Sequence, residues 1–291
     1  MNRRDYLSAC LCGVAACWNG VRAAEPAASS RVLRFGTTPV FLDDQAGFLA
    51  RWAAYLSKAV GLRVEFVSRR SYRDIMGLLR KQEIEAAWIC GFPWVMNRSW
   101  LRGLSIPLYG GQPLYRSYLI VPATDRTTRS LLDLRDKVYA FSDPDSNSGY
   151  LVPRVTLIKA GIDADRHFVR TFYTWGHRNV VSAVAAGLAH GGSVDGYVWD
   201  TLQKVAPSLV ARTRVAWRSE TFGFPPLAVR ASLDAETEQR LGAALFGMAG
   251  DDAGRRLLAE LNLSGFGPFR PEVFDSIARN AALIGARSTE A

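Results

Sequence analysis

The thirteen residues from Phe141 to Pro153 constrain this chain more than any others. Val138 to Phe141 are β-prone, Asp143-Pro144 forces a turn, and Ser146, Asn147 and Ser148 offer side-chain oxygens ahead of the apolar-periodic run Leu151, Val155, Leu157, Ile158. A strand must therefore hand over to a helix within a few residues. A helix starting there points unpaired backbone N–H groups and the positive end of its dipole at whatever lies in front. The same residues would serve an ordinary N-cap, so at this level an anion cradle and a plain cap both stand.

The rest of the chain repeats that alternation. Val32 to Gly36 is a β-prone run, and Gln45 to Val60 has helical spacing at Phe48, Leu49, Trp52, Tyr55, Leu56 and Val60. Leu62 to Val67 returns to β, Ser71 caps a helix through Leu79, and Ile84 to Ile89 reads as a strand. Further on, strand signals at 118–121, 168–173, 194–198, 210–217 and 225–229 alternate with helices at 149–160 and 177–189. The pattern closes with helices at 234–248, 251–261 and 271–283. Such order predicts an α/β protein with mostly parallel sheets, and the length suits two domains. His190 is expected in a Gly-rich loop.

The N-terminus reads as an export leader. Arg3-Arg4 precedes a short apolar segment, Tyr6 to Trp18, and Val21-Arg22-Ala23-Ala24 has the small-residue pattern of a cleavage site. Residues 1–23 are the expected signal peptide, and the expected address is the periplasm. Arg3-Arg4-Asp5-Tyr6-Leu7 also resembles a twin-arginine signal, and Val14-Ala15-Ala16-Cys17 a lipoprotein box. Three of the four cysteines lie in this leader, so Cys90 would remain alone and no intramolecular disulfide could form. The leader holds three arginines against one aspartate, so its loss lowers the net charge from +9 to +7. A basic balance suits an anionic ligand, but the Lys and Arg residues are scattered and no basic run is interleaved with aromatics, which argues against nucleic acid.

The segment Asp143-Pro144-Asp145-Ser146-Asn147-Ser148-Gly149-Tyr150-Leu151-Val152-Pro153 resembles the Asp-Pro-x-Ser-Thr-Ser-Gly-Tyr-x-x-Pro signature of periplasmic phosphate-, phosphite- and phosphonate-binding proteins of ABC importers, with Asn147 where threonine is usual. The resemblance implies a type II periplasmic-binding fold, in which two α/β lobes are joined by two crossover strands and the ligand cleft lies between them. The implied lobes are 31–118 plus 223–291, and 119–222. It also implies ligand contacts from Thr38, Trp94, His177, Asp195 and Ser219 beside Ser146, Asn147 and Ser148. The residues themselves admit plainer roles: a turn for Thr38, a core aromatic for Trp94, a helix cap for Asp195. Cys90, at a strand end beside Gly91, is either a small buried hydrophobe or a thiolate ligand, as in arsenite-sensing relatives of the family.

Enzyme signatures are missing: no Gly-x-Ser-x-Gly elbow, P-loop or His-Glu-x-x-His occurs, and the three histidines have no metal-site spacing. No catalytic residue, metal or cofactor is expected. The expected function is a solute-binding protein that captures a small oxyanion or organic anion and delivers it to an ABC transporter permease. Its alternatives are a sensor of arsenite or a related oxyanion acting through Cys90 on the periplasmic domain of a histidine kinase, and an enzyme on the same architecture. Membrane contact would come only through the partner or a lipid anchor at Cys17.

Overall fold

The structure, a computed structural model, describes residues 31–38 and 46–286; the leader, Cys17 and the loop after Thr38 fall outside the described residues. The chain begins with β1 (Val32–Thr37), α1 (Ala46–Val60), β2 (Arg63–Ser68) and α2 (Tyr72–Arg80). β3 (Ala86–Trp88), α3 (Gly91–Asn97), β4 (Leu101–Leu108) and β5 (Leu114–Pro122) follow. Next come β6 (Val138–Phe141), a single π turn (Asn147–Leu151), α4 (Val152–Lys159), β7 (Arg170–Tyr173) and α5 (His177–Ala185). β8 (Gly191–Asp195), α6 (Gly196–Val205), α7 (Pro207–Val210) and β9 (Thr213–Gly223) lead to β10 (Leu227–Arg230). The chain ends with α8 (Ala235–Gly247), α9 (Asp252–Glu260), β11 (Gly265–Pro268) and α10 (Asp275–Leu283).

Local chemistry explains these boundaries. In α1 the residues Phe48, Trp52, Leu56 and Val60 recur every four positions and are all buried, which fixes the face that packs on the sheet. Ser71 caps α2 by accepting from the Asp74 amide at 3.1 Å, and Asp234 and Asp251 do the same for α8 and α9, each at 2.8 Å. Phe35, Trp52, Phe66, Trp88 and Phe266 interlock around β1 and β3, with centroid distances of 4.9 to 6.3 Å. Full burial of a side chain such as Phe35 contributes roughly 1.5 to 3 kcal/mol.

The strands form two sheets, ordered β11-β4-β10-β3-β1-β2 and β7-β6-β8-β5-β9. Each has a parallel set at one end, β3-β1-β2 in one and β7-β6-β8 in the other, continued on the other side by antiparallel partners. The sheets are therefore mixed rather than mostly parallel, because β10 and β5 return through each sheet against its parallel set. The chain crosses between sheets twice, at 109–113 and 224–226, and the two connectors are tied by a hydrogen bond from the Phe224 amide to the Pro113 carbonyl at 2.8 Å. Gly191 and Gly192 are not loop residues but open β8. A Cβ on Gly191 would lie 2.5 Å from Leu134 Cδ1, and one on Gly192 2.5 Å from Val180 Cγ1 and 2.9 Å from the Ala140 carbonyl, so glycine lets the neighbouring layers close. Among the described residues no helix is long and apolar enough to cross a membrane.

Candidate ligand site

The C-terminal ends of β1, β3, β6 and β8 converge, and each leads directly into a residue with hydrogen-bonding capacity. Thr38 follows β1, Cys90 stands two residues beyond β3 as the N-cap position of α3, Ser142 follows β6, and Asp195 ends β8 as the N-cap of α6. Two helix starts complete the ring: Tyr72 opens α2 and His177 opens α5.

The cradle is held by its own backbone. The Ser146 amide donates to the Asp143 carbonyl at 3.0 Å, the Ser142 amide to the Gly149 carbonyl at 3.3 Å, and the Leu151 amide to the Ser146 carbonyl at 3.0 Å. Ser146 Oγ accepts from the Gly149 amide at 3.0 Å, so this residue is the N-cap, and the cap and the cradle are one structure. The Ser148 carbonyl accepts from Ser117 Oγ at 2.7 Å. Ser142 Oγ and Asn147 Oδ1 are buried with no partner among the described residues. One is a hydroxyl able to donate and the other a pure acceptor.

Bonds from elements of both sheets close over this cradle. The Tyr72 amide donates to Asp143 Oδ2 at 3.1 Å, and the Asn147 amide donates to Cys90 Sγ at 3.2 Å. Asn147 Nδ2 donates to Tyr115 Oη at 2.9 Å, and Ser148 also bonds that phenol. His177 Nδ1 accepts from the Asp195 amide at 3.1 Å, so its proton sits on Nε2, which faces Tyr72 Oη at 3.2 Å. Outside the cradle, Arg73 pairs with Asp145 at 3.1 Å.

Burial pushes the titratable groups here toward their uncharged forms. It lowers His177 to about 3, and it raises Asp195 to about 8 against the opposing amides of Tyr197 and Val198. It also raises Asp143, and it lifts Tyr72 and Tyr115 well above the usual phenol range. The Cys90 thiol is pushed up to about 12 by burial, despite the Asn147 and Phe92 amides that favour the thiolate. The inner ring, among the described residues, is built from dipoles and amides, without an ammonium or guanidinium group. Among the described residues no cluster of three or more His, Cys, Asp or Glu could hold a metal.

Ser146, Asn147, Ser148, His177, Asp195, Cys90 and Thr38 thus share one buried region, where Thr38 Oγ1 donates to the Trp88 carbonyl at 3.2 Å. Trp94 and Ser219 have other surroundings. The Trp94 ring packs against Phe269 and Phe274, with centroids 4.9 and 5.0 Å apart, and so backs α3 within the aromatic core. Ser219 Oγ accepts from the Ser117 amide at 2.9 Å and donates to the Glu220 carbonyl at 2.6 Å, bridging the β5–β9 pair where its register shifts. His190 lies at the other end of its sheet, accepting from the Val138 amide at 3.2 Å. Tyr72, Tyr115 and Ser142 are the members that sequence reasoning missed. Only Tyr72 carried a usable signal, standing directly after the Ser71 cap.

A thiol so placed makes a simple prediction. Native protein at pH 7.5 is expected to show less than about a tenth of the iodoacetamide labelling of Cys90 seen after denaturation, because only the thiolate reacts. Rapid labelling of the native protein, followed by mass spectrometry, would contradict this placement.

A family model described as the periplasmic substrate-binding protein of phosphonate ABC transporters matches residues 35–274. The phosphate-import protein PhnD of Mycolicibacterium smegmatis is 27% identical over 198 residues, covering 64% of this chain and 62% of that protein. The phosphonates-binding periplasmic protein of Escherichia coli is 24% identical over 221 residues, covering 72% of this chain and 64% of that protein. The chain thus spans less than two thirds of the length of both curated relatives. Among solved structures, a binding protein component of an ABC phosphonate transporter from Pseudomonas aeruginosa aligns with a TM-score of 0.79 at 22% identity, covering 86% of this chain and 85% of that one. PhnD1 from Prochlorococcus marinus, in complex with methylphosphonate, aligns at 0.78 and 16% identity, covering 88% and 99%. The fold is accordingly the type II periplasmic-binding fold. With the family model matching most of its length, the chain belongs to the periplasmic substrate-binding proteins of phosphonate ABC transporters.

Proposed function

We propose that this protein captures a small oxyanion of the phosphonate, phosphite or phosphate type in the periplasm and presents it to the permease of an ABC importer. The cradle from Ser142 to Gly149 carries this reading. It offers helix-start amides and hydroxyls at a place where Ser142 Oγ and Asn147 Oδ1 are buried without partners. A donor beside an acceptor suits an oxyanion that keeps one proton, since its P–O⁻ oxygens accept while its P–OH donates. Neutral donors suffice for such a species, because helix-start amides stabilise negative charge without a counter-ion.

Binding works by population shift. The lobes, which we assign to 31–118 plus 223–291 and to 119–222, turn about the two connectors. A ligand that touches both favours the closed form by the difference in its contacts. The Tyr72–His177, Tyr72–Asp143 and Asn147–Cys90 bonds belong to that closed form. Export is assigned to the leader at 1–23, through its twin-arginine pattern or with a lipid anchor at Cys17. A histidine kinase sensing arsenite through Cys90 is the weaker reading, because a thiol raised to about 12 and engaged with the Asn147 amide is a poor thiolate ligand.

Titration calorimetry with methylphosphonate, phosphite and phosphate tests the reading. At least one should bind, and replacing Ser146 and Ser148 together by alanine should weaken it more than a hundredfold, since each bond to a charged group contributes about 1.5 to 3 kcal/mol. The same variant should lose only about 1 kcal/mol of stability through the missing cap. Absence of binding by all three anions would overturn the assignment.

A further inference from the structure

Three aromatic rings form a ladder that the anion site leaves unused. Tyr150 meets Phe141 edge-on with centroids 5.3 Å apart, Tyr173 lies 5.9 Å from Tyr150, and Trp175 lies 6.0 Å from Tyr173. The Arg154 guanidinium carbon sits 5.4 Å from the centre of the Tyr150 ring, held there by its ion pair with Asp165 at 2.6 Å. The inner end is anchored on Phe141, which is 3% exposed, whereas Tyr173 is 38% and Trp175 47% exposed.

The ladder hangs on the segments that build the anion site. Tyr150 follows Gly149 directly, and Trp175 stands two residues before His177, at most about 7.6 Å away along the Cα trace. Tyr173 is paired with Phe141 where β7 and β6 end, and the cradle departs from that same end of β6. The turn carrying Trp175 is also tied to β6: the Thr174 amide donates to the Phe141 carbonyl at 2.9 Å.

Trp175 occupies the left-handed region, with φ of 60°, which a bulky side chain rarely adopts. Bonds from Thr174 Oγ1 to the Gly176 carbonyl at 3.0 Å and from Asn179 Nδ2 to the Thr174 carbonyl at 2.9 Å hold the turn in that shape. Glycine would fit such a turn freely. A large, half-exposed indole at a strained position beside His177 is a feature that local stability does not account for, and strain of this kind clusters at ligand clamps.

We propose that Tyr150, Tyr173 and Trp175 form a second subsite that takes a flat aromatic or heteroaromatic group carried by the anion in the cradle. The inference rests on the oxyanion reading above. It implies that the protein selects aryl-substituted phosphonates or phosphate esters over their small alkyl counterparts, because the exposed rings of Tyr173 and Trp175 can stack on such groups.

The test is calorimetry with methyl-, phenyl- and 2-phenylethylphosphonate, a series that places the ring at increasing distance from the anion. At least one aryl ligand is expected to bind tenfold or more tighter than methylphosphonate. In Trp175→Gly, whose backbone is relieved of strain and whose melting temperature should hold or rise, that preference should shrink to within about threefold. Binding of methylphosphonate without any aryl preference overturns the subsite and leaves the oxyanion reading standing. An unchanged preference in Trp175→Gly also overturns it, including a parallel loss of affinity for every ligand. Failure of the whole series, together with phosphate and phosphite, overturns the oxyanion reading and the subsite with it.

Discussion

Gly149→Ala is expected to abolish measurable methylphosphonate binding and to lower the melting temperature by several degrees. A Cβ at this position would overlap Ser142 Oγ and lie 2.7 Å from Ser142 Cβ and 3.1 Å from Ser146 Oγ. Neither serine can retreat. Both are fully buried, and the Ser142 amide is bonded to the carbonyl of Gly149 itself. Overpacking of this kind costs about 1 to 3 kcal/mol and shifts backbone, and here the backbone that must shift is the cradle. Gly77→Ala provides the contrast, since a Cβ within α2 meets nothing within 4 Å and should stabilise the helix by about 0.5 to 1 kcal/mol. Thermal scans and calorimetry on the two variants check both statements. Normal binding by Gly149→Ala would mean that the cradle tolerates a displacement that its packing forbids.

Stability should also fall as the pH rises from about 6.5 to 8, and Asp195→Asn should remove most of that fall. The folded protein keeps Asp195 protonated up to about 8, whereas the unfolded chain releases this proton near its ordinary value of about 4. Between those limits the folded state holds one more proton, so each unit of pH costs about 1.4 kcal/mol. His177 acts in the opposite sense. Its folded value near 3 lies below the ordinary 6.5, so stability is lost as the pH falls through that interval. The two slopes offset each other from about pH 4 to 6.5, leaving Asp195 alone above it. Urea unfolding at half-unit steps of pH measures the slope, and an unchanged slope in Asp195→Asn would exclude this carboxyl as its source.

Much of the fold was legible because periodicity and caps are local signals. The α1 stripe from Phe48 to Val60, the Ser71 cap and the cradle all fall where residue spacing puts them. What escaped depends on partners far along the chain. β4 and β11 pair with each other through residues more than 150 positions apart, and β11 carries two glycines and a proline in four residues, which reads as a turn. α3 follows β3 after two residues and opens with Gly-Phe-Pro, a sequence that looks like a loop. The site divides along the same line. Ser146, Asn147 and Ser148 were readable from a contiguous motif, whereas Tyr115 joins them only because Asn147 and Ser148 reach its phenol across the fold. Ser219 sits at a strand position that resembles a pocket residue in sequence, and only the register shift of β5 and β9 gives it another occupation.

The order of strands in the first sheet bears on how the chain acquires its structure. β10 lies between β3 and β4, so Leu227 must pair with Trp88 across 139 positions before the sheet is continuous. Until then β3 and β4 have no common neighbour, and β11 cannot extend the row beyond β4. The second sheet closes over shorter spans, the longest being Leu114 with Gly223 across 109 positions. Short-range pairing precedes long-range pairing, because closing a longer loop costs more chain entropy and gains nothing until it is closed. The second sheet can therefore close before the first is complete. The half of the molecule translated first must wait for the last sixty-odd residues before it can bury its own core, and throughout that wait the chain remains open, a condition suited to a polypeptide that crosses a membrane before it folds.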